Sequence, residues 1–488
     1  MHAGKLQSLQ RREFLRRTSA LGLAGTAGPL ALTLAGIGEA AAQNAPANDY
    51  KALVCVFLYG GNDHDNTFVP YDDTSHGVYQ TLRDVGTAST TRIYVPKSAL
   101  TSLTNSGLPG GRQYAVQAAM GSMATLYEAK KMGVLLNVGP LAKPIDKVGY
   151  TNAKTGDLPP KLFSHNDQFS LWQSGLLEGA EGATQGWGGR LGDLFLGSEE
   201  KTHFTCINAA GNAVFMSGKH VLPYQVTSTG SVAINSLLYS KVYGIQDSEK
   251  AVEALLKSST NHWMEKEWTR VVKSSIDNQQ IVSTGISPTS AADYFGNPSA
   301  FGTDSLSAQL KIVARLIAAR SSLDVTRQVF FVSLGGFDHH DGLKAGHAGN
   351  DGKSGLLKKV NDAMFGFYAA TKQLGVADKV TTFTASDFGR TLSSNGDGSD
   401  HGWGSHHMVM GGAVDGGKFW GKAPDLSATD NALNGDDSVG QGRLLPSTSV
   451  DEFAAALARW MGVGESELAT VLPNYSKFAG KARLPIFG

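Results

Sequence analysis

The sequence predicts an α/β protein, a mostly parallel central sheet flanked by helices with a mainly helical insertion. Three observations predict it. First, residues 53–58, 132–138, 328–334 and 380–385 are continuously apolar or β-branched, as expected of strands covered on both faces. Second, a helical segment, 356–373, joins the last two runs, and strand–helix–strand order implies parallel pairing through right-handed crossovers. Third, three of the four runs end in loops rich in glycine, Asp and His, the place where open α/β sheets hold ligands.

At 488 residues and 41% hydrophobic content, the chain can bury a large core as one large α/β domain. We assign that domain to 43–488, with 231–303 as the helical insertion. Basic and acidic residues balance at 43 each, which gives no support for nucleic-acid binding through bulk charge. The 59 glycines imply long, loop-rich connections.

Residues 1–42 read as a twin-arginine signal peptide. Arg11-Arg12-Glu13-Phe14-Leu15 is followed by an apolar, small-residue stretch, 20–37, and then by Ala40-Ala41-Ala42 as a cleavage site. The expectation is a periplasmic or otherwise exported protein, handed over by the twin-arginine export machinery, with a mature chain beginning near Gln43.

The first strand leads into Gly60-Gly61-Asn62-Asp63-His64-Asp65-Asn66. Cys55 lies within that strand and Cys206 in a second apolar setting, so both are expected to be free buried thiols. A helix is expected over 116–131. Ser164 precedes Phe169, Leu171 and Trp172 in helical spacing. It reads either as a helix N-cap or as a nucleophile at a helix N-terminus, where the dipole favours an anion. From 231 to 282 the pattern is mostly helical, with Trp263, Trp268, Val271 and Val272 expected on inner faces, followed by a Ser/Pro/Gly-rich link over 283–303. A helix over 305–320 precedes the third strand, which ends at Gly335-Gly336-Phe337-Asp338-His339-His340-Asp341. The fourth ends at Ser386-Asp387-Phe388-Gly389-Arg390, then a turn-rich loop, then Asp400-His401-Gly402-Trp403-Gly404-Ser405-His406-His407. A last helix starts near Ser449.

Six of the 13 histidines fall between His339 and His407, interspersed with Asp338, Asp341, Asp387 and Asp400. Imidazoles and carboxylates repeated at strand ends are what a zinc, manganese, calcium or magnesium site requires. His339, His406 and His407 fit ligands, supporting groups or proton carriers.

The motifs Gly60-Gly61-Asn62-Asp63, Ser164-His165, Gly335-Gly336-Phe337-Asp338-x-His340, Ser386-Asp387-Phe388-Gly389-Arg390-Thr391 and Asp400-His401-Gly402 occur in this order. The mature chain resembles the domain-of-unknown-function family 1501, which looks like a twin-arginine-exported branch of the alkaline phosphatase and sulfatase superfamily. The resemblance implies an alkaline phosphatase-like fold and a site with Ser164 as nucleophile. It also implies Asp63, Asp338, His340, Asp387 and His401 as metal ligands. The second metal of such sites takes an Asp-His pair, and here Phe388 stands in the histidine's place. The implied activity is metal-dependent hydrolysis of phosphate or sulfate esters, small or polymeric, with Arg390 stabilising developing charge. The alternative roles are an ion pair for Arg390, and for the protein a non-catalytic metal- or anion-binding envelope function.

Overall fold

The computed structural model describes residues 49–488 except 86–91, 105–106, 178–181, 197–201, 235–236, 238–240, 243–244, 247, 259–261, 291–294, 296–300 and 430–431. The signal-peptide reading of 1–42 lies outside the described residues. Among those described, no helix is long and apolar enough to cross a membrane.

The central sheet contains ten strands: β1 (Lys51–Leu58), β2 (Met132–Gly139), β3 (Cys206–Asn208), β4 (Tyr224–Thr227), β5 (Gly230–Ser231), β6 (Arg327–Leu334), β7 (Val380–Ser386), β8 (Ser405–Gly411), β9 (Phe419–Trp420) and β10 (Thr448–Ser449). Their order is β9-β2-β8-β7-β1-β6-β3-β4-β5, with β10 also on β2. The sheet is mixed but mostly parallel. β8 runs against β7 and β2, and β5 against β4.

Alternation along the strands explains why the runs are apolar throughout. On β1, Ala52, Val54, Val56 and Leu58 enter one core, and Leu53, Cys55 and Phe57 enter the other. Helices α1 (Asp73–Arg83) and α2 (His165–Ser174) lie in the connections that follow β1 and β2. Helices α3 (Ser305–Ala318) and α4 (Gly355–Gln373) supply Leu310, Val313, Val360 and Phe367 to the first core; α5 (Val450–Met461) supplies Phe453 and Leu457 to the second. Each such side chain contributes on the order of 1.5–3 kcal/mol by leaving water. α5 begins at a capping box between Ser449 and Glu452, which satisfies two backbone N–H groups at its start. Both cysteines are free and buried.

Several expectations need correction. The stretch 116–131 is not one helix: Tyr114–Gln117 is a strand paired with Phe68–Pro70, and the helix is Gly121–Glu128. The insertion contains helices Ser248–Lys257 and Trp263–Ile286, but Trp263 and Trp268 point outward at 73% and 53% exposure. Apolar spacing marks a shared helix face, and that face is buried only where another segment packs on it. The loop after β7 is an antiparallel ribbon, Arg390–Ser394 against Ser399–His401, with its turn between them.

Register positions the site. Leu58 of β1 lies beside Leu334 of β6 and beside Ser386 of β7. The loops carrying Asp63, Asp338 and Asp387 therefore leave the sheet at one edge.

Candidate metal centre

The loops are laced together by their backbones. Tyr59 N–H donates to Leu334 O at 2.9 Å, and Phe337 N–H to Tyr59 O at 3.1 Å. Gly60 has φ +113°, and a Cβ there would stand 2.4 Å from the Asp338 nitrogen. Only glycine allows that approach. In the ribbon, Arg390 pairs with His401. A third segment brings in the start of α2. It reaches the site through Lys161 at φ +47° and Phe163 at φ +72°, left-handed conformations that cost a non-glycine residue energy and cluster at functional sites.

Three imidazoles converge on Asp338. His165 Nε2 is 3.4 Å from Asp338 Oδ2, His340 Nε2 is 3.1 Å from Oδ1, and His401 Nε2 is 3.4 Å from Oδ1. His340 Nε2 and His401 Nε2 are 2.9 Å apart. Each ring's other nitrogen faces an oxygen that only accepts: His165 Nδ1 to Asp387 Oδ2 at 2.6 Å, His340 Nδ1 to Asp400 Oδ1 at 3.2 Å, and His401 Nδ1 to the Phe163 carbonyl at 2.7 Å. With hydrogen on the three Nδ1 atoms, the three Nε2 atoms turn lone pairs inward, the tautomer that a bound cation selects.

In that tautomer the His340 and His401 lone pairs stand 2.9 Å apart, an arrangement that a cation between them stabilises. Donors about 2.0–2.1 Å from a tetrahedral zinc stand about 3.3–3.4 Å apart, and the His165–Asp338 and His401–Asp338 separations, both 3.4 Å, match that spacing. Nδ1–H bound to a carboxylate or carbonyl is also the usual support of a metal-ligating histidine. His165, Asp338 and His401 each bring a donor atom within 4.8 Å of the others, a group that could hold a metal ion, and His340 Nε2 stands beside it, 2.9 Å from His401 Nε2.

The electrostatics follow from the neighbours. The hydrogen bond to Asp387 raises the His165 pKa above its ordinary value. Burial lowers that of His401. Burial works against a charged Asp338, but the Arg390 hydrogen bond and charge outweigh it and hold the carboxyl below its usual range. Asp338 and His340 remain 44% and 43% exposed, so one side of the centre is open to solvent.

A family model described as "Protein of unknown function (DUF1501)" matches residues 50–472. The chain belongs to the DUF1501 family. No curated protein matches it.

In this DUF1501 chain, His340 Nε2 and His401 Nε2 lie 3.1 and 3.4 Å from Asp338 Oδ1, three residues that the resemblance put forward as ligands. Asp387 is beside them, but its Oδ2 accepts from His165 Nδ1–H and from Gly60 N–H at 3.1 Å, a supporting position. Asp63 lies at the same sheet edge, yet Arg83 of α1 holds both its oxygens, at 2.6 and 2.8 Å. Arg390 is buried, donating to Asp338 Oδ1 at 2.6 Å, to Gly60 O at 3.3 Å and to Ser399 O. Its guanidinium clamps the protein's own carboxylate. Ser164 lies between Phe163 and His165, both of which contact the centre. Phe388 is buried with its ring 4.7 Å from those of His165 and His401, an apolar wall beside the imidazoles.

His165 is the candidate donor that the sequence did not single out. Its signal was its adjacency to Ser164 in a loop with helix-start spacing, which drew attention to the hydroxyl instead.

A second group, His64, Asp65 and His406, also brings three donor atoms within 4.8 Å of one another and is buried. Its chemistry differs. Asn137 N–H donates to His406 Nδ1 at 3.1 Å, so the hydrogen of the neutral ring sits on Nε2, which then has no lone pair for a metal. Burial holds His406 well below its ordinary pKa and keeps it neutral.

Proposed function

We propose that this DUF1501 protein is an exported, metal-dependent hydrolase of phosphate or sulfate esters, with an alkaline phosphatase-like fold. The observation that carries the reading is the convergence of three Nε2 atoms on Asp338 beyond the C-terminal ends of the central strands. An imidazole-rich set favours zinc over manganese, calcium or magnesium. When bound, such an ion supplies Lewis acidity toward an ester oxygen and lowers the pKa of water. The chain's residues do the rest. Asp387, Asp400 and the Phe163 carbonyl orient the rings, Arg390 holds Asp338, and Ser164 offers a hydroxyl beside the centre. Phe388 fills the place of the histidine expected at a second metal, so the centre holds one tightly bound ion per chain. The twin-arginine reading of 1–42 supports export to the periplasm.

The test is elemental analysis of untagged protein, together with turnover of nitrophenyl phosphate, bis-nitrophenyl phosphate and nitrophenyl sulfate before and after chelation. We expect about one transition metal per chain and chelator-sensitive release of nitrophenol from at least one ester. Two tightly bound metals, or no turnover by metal-loaded protein, refutes the reading. A non-catalytic metal-binding role is favoured by one observation, that Arg390 is engaged by Asp338 rather than left for a substrate anion.

A further inference from the structure

Ser164 occupies the N-cap position of α2, but its side chain caps nothing: no backbone N–H of the first turn donates to it. Instead Oγ–H donates to Asp167 Oδ2 at 2.7 Å. Asp167 is 2% exposed. Among the described residues no hydrogen-bond donor reaches its Oδ1, and the Lys161 ammonium stands 3.7 Å from that atom. An N-cap serine ordinarily accepts from the backbone. Here the hydroxyl hydrogen is drawn toward a buried carboxylate, and the oxygen lone pairs accept from no backbone N–H of the first turn. The neighbours on both sides are anchored to the centre, Phe163 through its carbonyl on His401 and His165 through Asp387. The left-handed turn at Lys161 and Phe163 holds Ser164 between them.

We propose that Asp167, backed by Lys161, orients the Ser164 hydroxyl and serves as its general base for attack on tetrahedral phosphorus or sulfur centres. This rests on reading Ser164 as the nucleophile. A fluorophosphonate probes it without needing a natural substrate. The Oγ–P bond forms, the P–F bond breaks, fluoride leaves with the bonding pair, and the hydroxyl proton departs along the existing hydrogen bond to Asp167.

The experiment measures labelling rate and site by mass spectrometry on metal-loaded full-length protein, with metal content recorded for each variant. We expect labelling at Ser164 and none in Ser164→Ala. Asp167→Asn should keep its metal but label about tenfold or more slowly, and Asp167→Glu should recover part of the rate. Failure of the wild type to label at Ser164 overturns the proposal, as does Asp167→Asn labelling at the wild-type rate. Loss of metal together with labelling in Asp167→Asn would make Asp167 merely structural and overturns the proposal too. Ester turnover is measured separately. Asp167-dependent labelling without turnover sustains the proposal while removing the ester-hydrolase reading, and turnover without labelling does the reverse.

Discussion

Replacing Asp387 by alanine separates a supporting carboxylate from a ligand. Asp387 Oδ2 takes the Nδ1–H of His165 at 2.6 Å and the N–H of Gly60 at 3.1 Å. Truncation deletes the acceptor that fixes the His165 tautomer and ring angle, and leaves all four inward donor atoms in place. Loss of such a partner costs about 10–100-fold in metal affinity, or about 1.4–2.7 kcal/mol. His165→Ala, which deletes a donor atom itself, should lose more. The assay is competition against a chromogenic chelator of known affinity, run on wild type, Asp387→Ala and His165→Ala at one pH. Wild-type affinity in Asp387→Ala would refute the supporting role. So would a loss as large as that of His165→Ala, which would make Asp387 a direct ligand.

Two further outcomes follow from groups around the centre. Burial pushes the pKa of His347 down to about 4 and of His407 to about 3, below the roughly 6.5 of an unfolded chain. The unfolded state then binds more protons below about 6.5, so stability is full above that pH and falls as pH drops toward about 4, by about 1.4 kcal/mol per unit per group; urea midpoints that stay flat between about pH 6.5 and 4.5 would contradict this. Gly60→Ala places a Cβ 2.4 Å from the Asp338 backbone nitrogen in a left-handed conformation, so it should displace the Asp338 loop and reduce bound metal, with wild-type stoichiometry and midpoint as the contrary result.

The sequence by itself determined the sheet's central strands. Residues such as Leu53 and Val54 face opposite cores, and a strand covered on both sides must be apolar at every position. It also placed Asp338 and His340 directly after such a strand, while His401 joined them as a candidate ligand through the family resemblance. Tertiary structure alone decided the rest. His165 joins the candidate donor group only because a turn at Phe163 swings it to Asp387, 222 residues away. Asp63 is withdrawn from the centre by Arg83, an ion pair that no spacing announces. Arg390 serves Asp338 because its ribbon folds back over Gly60. Trp263 and Trp268 show the same limit from the other side. Periodicity records which residues share a face, while the partner of that face, or its absence, is set by segments far away in the chain.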